Sequence, residues 1–309
     1  MAPWLAMAGS TSNPIDDVNR KLIGIFCAIG AAVCYGTNPL GALNLYAEGM
    51  NTPSVLFYRF GLAWVIIVVV MLFRKENLRV TSREFLTLGI LGLLFIASSV
   101  TLYLSFRLMP AGVASTILFT YPVITATIMT LFFHEHITAS TILSILLSLV
   151  GVLLLYWGDS DGALSLVGVL LVLVSALTYA LYIIVVDKSP LPMSGLKVNC
   201  YVLAWCVLGM VAYALFSGQP LMLPPSPTAW LWVSWLAIVP AIMALVMMVY
   251  AAKYLGSTPT AILGALEPLT AVLIGVLVFS EPFTPRLLFG IVLILSAVML
   301  VVLRKSKRS

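Results

Sequence analysis

Ten stretches of this chain are apolar enough and long enough to cross a bilayer, and little else constrains its fold as much. They run over residues 22–45, 53–73, 85–107, 110–133, 139–157, 164–187, 196–216, 228–252, 258–280 and 284–303. Crossing the hydrocarbon core takes about 20 mainly apolar residues of helix. Only 9% of the 309 residues are charged, where a soluble domain carries about 25%. A bilayer offers no water to the backbone, so each stretch must satisfy its own N–H and C=O groups as a helix. The expected fold class is therefore an all-α integral membrane protein of ten helices. A soluble domain is excluded. The net charge of +5 points to membrane orientation, not to a nucleic-acid partner. Cys27, Cys34, Cys200 and Cys206 all fall inside apolar runs, as small buried side chains do, and form no disulfide or metal framework.

The chain repeats itself. Pro122, Ile128, Leu131, Phe133, Glu135 and Thr138 match Pro268, Ile274, Leu277, Phe279, Glu281 and Thr284 at an offset of 146. Leu22, Gly24, Ala32 and Tyr35 match Leu166, Gly168, Ala176 and Tyr179 at an offset of 144. Two halves follow, 22–157 and 164–303, flanked by a tail over 1–21 and a basic tail over 304–309. Five helices in each half force the second half to enter from the opposite side. The expectation is two inverted five-helix repeats around a central cavity, an arrangement typical of alternating-access transporters.

Orientation follows from the basic residues. With the N-terminus in the cytoplasm, thirteen of the sixteen Lys and Arg residues fall on the cytoplasmic side. Arg107 and Arg286 stay outside, and Arg59 lies within a helix. The positive-inside rule then puts both termini in the cytoplasm. Residues 1–19 lack a basic start and a continuous apolar core, so they are read as a tail and not as a signal peptide. Trp230, Trp232 and Trp235 stand at an outer helix end, where an interfacial belt is expected.

Arg107-Leu-Met-Pro110-Ala, Pro122 and Phe133-His-Glu135 recur as Lys253-Tyr-Leu-Gly-Ser257, Glu267-Pro268 and Ser280-Glu281-Pro. This pattern resembles the EamA-type drug/metabolite transporter superfamily over residues 22–303, and within it the YddG-type aromatic amino acid exporters. The resemblance implies a basket of ten helices around a cavity. It implies export of small organic solutes, aromatic or hydrophobic amino acids among them, across a bacterial inner membrane.

The polar residues inside the apolar runs are the candidates for function. A carboxylate near mid-membrane costs about 2.5–3.5 kcal/mol on insertion scales, so Glu267 should face a cavity or a partner. Pro268 and Pro122 break their helices and are candidate hinges. Arg59 is open to three readings: a ligand for a substrate carboxylate, a partner for Glu267, or a side chain snorkelling outward. Tyr35 and Asn38 stand beside Gly36, Pro39 and Gly41, where an interrupted helix would line a cavity. Tyr121 precedes Pro122 as Glu267 precedes Pro268. Tyr179 and Tyr182, Ser99 and Tyr103, Trp205, and Tyr250 complete an aromatic wall with hydrogen-bonding tips, suited to flat and largely apolar solutes. His134 and His136 flank Glu135, but two histidines with nothing to complete the set do not make a metal site. No cofactor is expected.

The expected partners are a small-molecule substrate and the lipid bilayer. A nucleotide-sugar or phosphate-ester exchanger would need several cations in the cavity, and only Arg59 lies in a helix interior. A membrane-embedded enzyme would need histidines or paired aspartates among the helices, and there are none. A non-transporting membrane scaffold stays open as an alternative.

Overall fold

The computed structural model describes residues 14–133, 139–156, 165–189, 191, 193–255, 260 and 263–306. Among them all the regular secondary structure is helical. In chain order the elements are α1 (Pro14–Gly36), α2 (Asn38–Ala47), α3 (Thr52–Phe73), α4 (Ser82–Ser105), α5 (Ala111–Leu118), α6 (Tyr121–Phe132) and α7 (Ala139–Tyr156). There follow α8 (Leu166–Lys188), α9 (Gly195–Ser217), α10 (Pro227–Ala237), a π-helical segment (Ile238–Met243), α11 (Ala244–Leu255), α12 (Leu266–Phe279) and α13 (Pro285–Ser306). Among the described residues, seven spans are long and apolar enough to cross a membrane, and three shorter apolar helices accompany them at Ile142–Leu155, Leu266–Phe279 and Pro285–Leu300.

Proline explains where the long helices stop. Pro39 has no N–H, and its ring would strike the carbonyl four residues back. α1 therefore ends at Gly36, and α2 restarts at Asn38 with proline in its first turn. The carbonyl of Tyr35, which would have accepted from residue 39, instead accepts from Asn38 Nδ2 at 2.9 Å. Pro122 does the same between α5 and α6, where it lies in the first turn of the new helix. Pro268 lies in the first turn of α12, which begins only at Leu266. Pro240 falls within the π segment, where wider i→i+5 bonding absorbs the missing donor. At the polar ends, side chains take over orphaned N–H groups. Asn51 caps α3, and Thr81 with Glu84 forms a capping box on α4. Each such cap is worth about 1 kcal/mol.

Packing pairs α7 with α13, α1 with α11, α4 with α8, α3 with α9, and α5 with α12. Lipid tails are as apolar as leucine, so close approach through small residues, not water expulsion, holds such helices together. A Cβ on Gly24 would lie 2.7 Å from Leu255 Cγ and 3.0 Å from Tyr254 Cβ. A Cβ on Gly168 would lie 3.1 Å from Met109 Sδ and 3.4 Å from Leu108 Cβ. Gly151 and Gly290 each bring α7 and α13 to within van der Waals contact of the other's carbonyl. Ser98 and Ser175 bond across α4 and α8, Oγ to Oγ at 3.1 Å and Ser175 Oγ to the Ser98 carbonyl at 2.7 Å. Large apolar side chains such as Phe26, Phe73, Leu93, Phe132, Leu149, Leu215, Phe216 and Leu277 stay exposed. A monomer in water rarely shows so much apolar surface, and a lipid-facing exterior requires it.

Candidate functional site

Helix breaks bring the polar residues together. Tyr35 is in the last turn of α1, Tyr121 opens α6, and Glu267 is in the first turn of α12. α1 runs against α12, and α6 against α8, which carries Tyr179 and Tyr182. Gly36 sets the first of these approaches: a Cβ there would lie 2.5 Å from Thr270 Cβ and 2.7 Å from the Glu267 carbonyl oxygen. Tyr121 meets Tyr179 edge-on with centroids 4.8 Å apart. Tyr179 and Tyr182 lie parallel at 6.0 Å, and Phe95 of α4 approaches Tyr182 at 5.5 Å. Glu267 is within electrostatic reach of Tyr35, Tyr121 and Tyr179.

All four of these side chains are deep among the helices, yet each keeps some accessible surface. The Glu267 carboxylate has no hydrogen bond or ion pair with any described residue. Its support is the positive end of the α12 dipole, an interaction that reaches about 2 kcal/mol in partly buried settings.

Arg59 belongs to a second polar group beside this one. Its Nη1 donates to the Tyr103 hydroxyl at 2.6 Å. That hydroxyl donates to Asn38 Oδ1 at 3.3 Å. The Tyr103 carbonyl accepts from the Tyr46 hydroxyl at 2.9 Å. Arg59 is thus tied to the break between α1 and α2, and Tyr35 lies within electrostatic reach of both Arg59 and Glu267. Of the alternatives raised by the sequence, an Arg59–Glu267 pair is not formed. Nor does Arg59 snorkel, since only 8% of it is exposed.

Other candidates lie apart. Trp205 fits a notch on α4, where Cβ atoms on Gly89 and Gly92 would press on it, and its ring meets Phe85 at 5.2 Å. Tyr250 is exposed and stacks on Tyr254 at 6.1 Å. Ser99 is buried on α4, beside Ser98, whose contact with Ser175 the sequence reading missed. Trp235, expected as a membrane anchor, donates from Nε1 to Thr37 Oγ1 at 3.3 Å, right at the α1–α2 break. His134, Glu135 and His136 lie outside the described residues. Among the described residues, no three metal-ligating side chains cluster.

Glu281 has a role that its place in the repeat did not disclose. Beyond α12 the chain turns through Ser280 at φ 53 and lays the Glu281 carboxylate on the start of α5. Ala111 N–H donates to Oε1 at 2.6 Å and Gly112 N–H to Oε2 at 3.1 Å. Gly275 leaves room for it, since a Cβ there would overlap the carboxylate. Burial pushes the Glu281 carboxyl above the usual carboxylate range, and the two N–H donors pull it part of the way back.

The sequence profile of the EamA-like transporter family matches this chain twice, over residues 22–157 and 166–303. The chain belongs to the EamA-like transporter family. Among similar proteins, an uncharacterized transporter of Archaeoglobus fulgidus is 26% identical over 272 residues, covering 87% of this chain and 94% of that protein. The uncharacterized transporter YdfC of Bacillus subtilis is 24% identical over 279 residues, covering 89% and 90%. A solved crystal structure superposes with a TM-score of 0.64 at 20% identity, over 94% of this chain and 99% of the other. That likeness shows a shared fold. This EamA-like chain is accordingly an integral membrane protein with a transporter's role.

Proposed function

We propose that the protein is a secondary transporter that exports small organic solutes, aromatic or other hydrophobic amino acids above all, as the YddG-type exporters do. The observation that carries this reading is the Glu267 carboxylate, without a partner among the described residues and within electrostatic reach of Tyr35, Tyr121 and Tyr179. A substrate ammonium is the natural complement of such an anion, and tyrosine rings suit an aromatic side chain.

Ten spans in two inverted repeats follow if the three shorter apolar helices are counted with the seven longer ones. The helix pairing favours this arrangement. Exchanging the halves sends the α4–α8 contact onto α1–α11, and the α1–α12 contact onto α8 with α5 and α6. α3–α9, α5–α12 and α7–α13 map onto themselves. The Gly24 contact with Tyr254 and Leu255 becomes that of Gly168 with Leu108 and Met109. Transport then proceeds as the halves rock about the central site, with hinges at the breaks before Pro122 and Pro268 and both termini in the cytoplasm.

The test is flux by purified protein in liposomes against a panel of amino acids, with and without a pH gradient. Substrate-dependent flux above protein-free liposomes is expected, strongest for aromatic amino acids. No flux for any member would overturn the reading. Pro122→Ala and Pro268→Ala variants should slow turnover; normal rates would remove the hinge role. A reporter fused after Ser309 should be active in the cytoplasm.

A further inference from the structure

We propose that Arg59 is the carboxylate anchor of the transported solute, so that the site selects compounds bearing a single negative charge opposite their ammonium. This deepens the transporter reading and rests on it. Arg59 is the one charged side chain among the buried described residues. Among the described residues it has no carboxylate partner, and its Nε is buried without any hydrogen-bond partner. A guanidinium carries five N–H donors in a planar fork, and the only hydrogen bond it makes takes one of them, to the Tyr103 hydroxyl.

Burying a cation with no counter-ion is costly, and such a group is kept where something is to be gained from it. The guanidinium fork matches a carboxylate bidentately. The surroundings hold it ready for that. Tyr103, fully buried, fixes Nη1 and passes the restraint to Asn38 at the helix break. The rings of Phe60 and Tyr103 approach the guanidinium carbon at 5.7 and 5.4 Å and keep it from bending toward lipid.

Charge arithmetic selects the class of anion. A phosphate monoester carries close to two negative charges at neutral pH, and no second buried cation is present among the described residues to meet the other. Arg107, which might have served, lies against the Tyr46 ring at 5.3 Å and is exposed. Arg59 and Glu267, which has no partner among the described residues, both lie within electrostatic reach of Tyr35 and are the two charges a zwitterion needs.

The experiment compares three solutes in liposomes: phenylalanine, phenethylamine, which lacks the carboxylate, and 3-phenylpropionate, which lacks the amine. Glucose 6-phosphate serves as the phosphate arm. Arg59→Gln should lower the flux of phenylalanine and phenylpropionate by about tenfold or more, the loss of one charge-assisted bidentate contact. Phenethylamine flux should stay near that of the parent protein. Phenylalanine should also stop raising the thermal midpoint of the variant in detergent. Arg59→Lys keeps the charge and loses the fork, so it should fall between the two while remaining monodisperse.

Equal loss of all three solutes in both variants would make Arg59 structural and overturn the anchor. So would a parent protein that carries phenethylamine as well as phenylalanine. Preferred flux of glucose 6-phosphate would overturn the monoanion assignment. If no organic solute moves at all, the transporter reading itself fails.

Discussion

One glutamate stands in the first turn of α12 and another just beyond its last, and the structure treats them in opposite ways. Glu281 is saturated: its two oxygens accept the N–H groups that open α5, and Gly275 is small enough to admit it. Glu267 is bare, with no described partner, amid tyrosines that offer rings and hydroxyls. The first arrangement holds two halves of the molecule together. The second leaves free energy to be recovered by whatever binds. One helix thus separates a joint from a receptor by a few turns, and the difference lies wholly in what the neighbouring backbone presents.

Substitution should expose that difference, and the largest effect belongs to the bare carboxylate. Glu267→Gln should cut flux of ammonium-bearing substrates by about 100-fold, the loss of a desolvated charge contact. Its thermal stability in detergent should stay level or rise. Lowered stability with unchanged flux would reverse the assignment. Glu281→Ala should do the opposite. It strands two helix N–H donors and should cost about 2 kcal/mol, read as a lower midpoint of unfolding, with substrate preference unchanged.

The titration of Glu281 gives a sharper version. Its carboxyl is held above the usual range by burial, so the folded state binds the proton more tightly than the unfolded one. The stability from that proton is present below the ordinary carboxylate value and is lost as pH rises through the raised one. Glu281→Gln should flatten that slope in detergent melts across mildly acidic pH. A slope unchanged in the variant would assign it to another group. An effect of similar size is expected at Gly36, where an added Cβ meets the Glu267 carbonyl. Gly36→Ala should push α1 from α12 at about 1–3 kcal/mol and depress flux as well. Ser175→Ala should cost least, about 0.6 kcal/mol, with flux untouched.

Much of the architecture is legible in the sequence because the bilayer admits so few exceptions. Proline and glutamate inside apolar runs stand out at Pro122, Glu267 and Pro268, and the internal repeat makes Tyr179 the equivalent of Tyr35 before any coordinates. What periodicity leaves open is which neighbour a helix face will meet. Tyr201 and Trp205 share a face at helical spacing, but Trp205 meets the glycine notch of α4 and the Tyr201 hydroxyl donates to the Leu78 carbonyl, both away from the aromatic cluster. The docking of Glu281 on Ala111 is a contact between halves that no local pattern encodes. Pro240 was a visible signal in the eighth apolar run, and it went unread because the run continues as helix on both sides.

That proline has a consequence for how this chain can change over generations. A π turn holds one residue more than an α turn, so α11 is rotated by about 100° from where α10 alone would have sent it. Trp235 above the π segment reaches Thr37, while Met247 below it packs on Gly30. Deletion of the Pro240 codon itself would remove the residue that regular helix cannot accept and turn a different set of side chains toward α1 in one step. The segment is thus a length polymorphism waiting to happen, at a place where rotating one half-helix refaces the protein's interior without disturbing its ends.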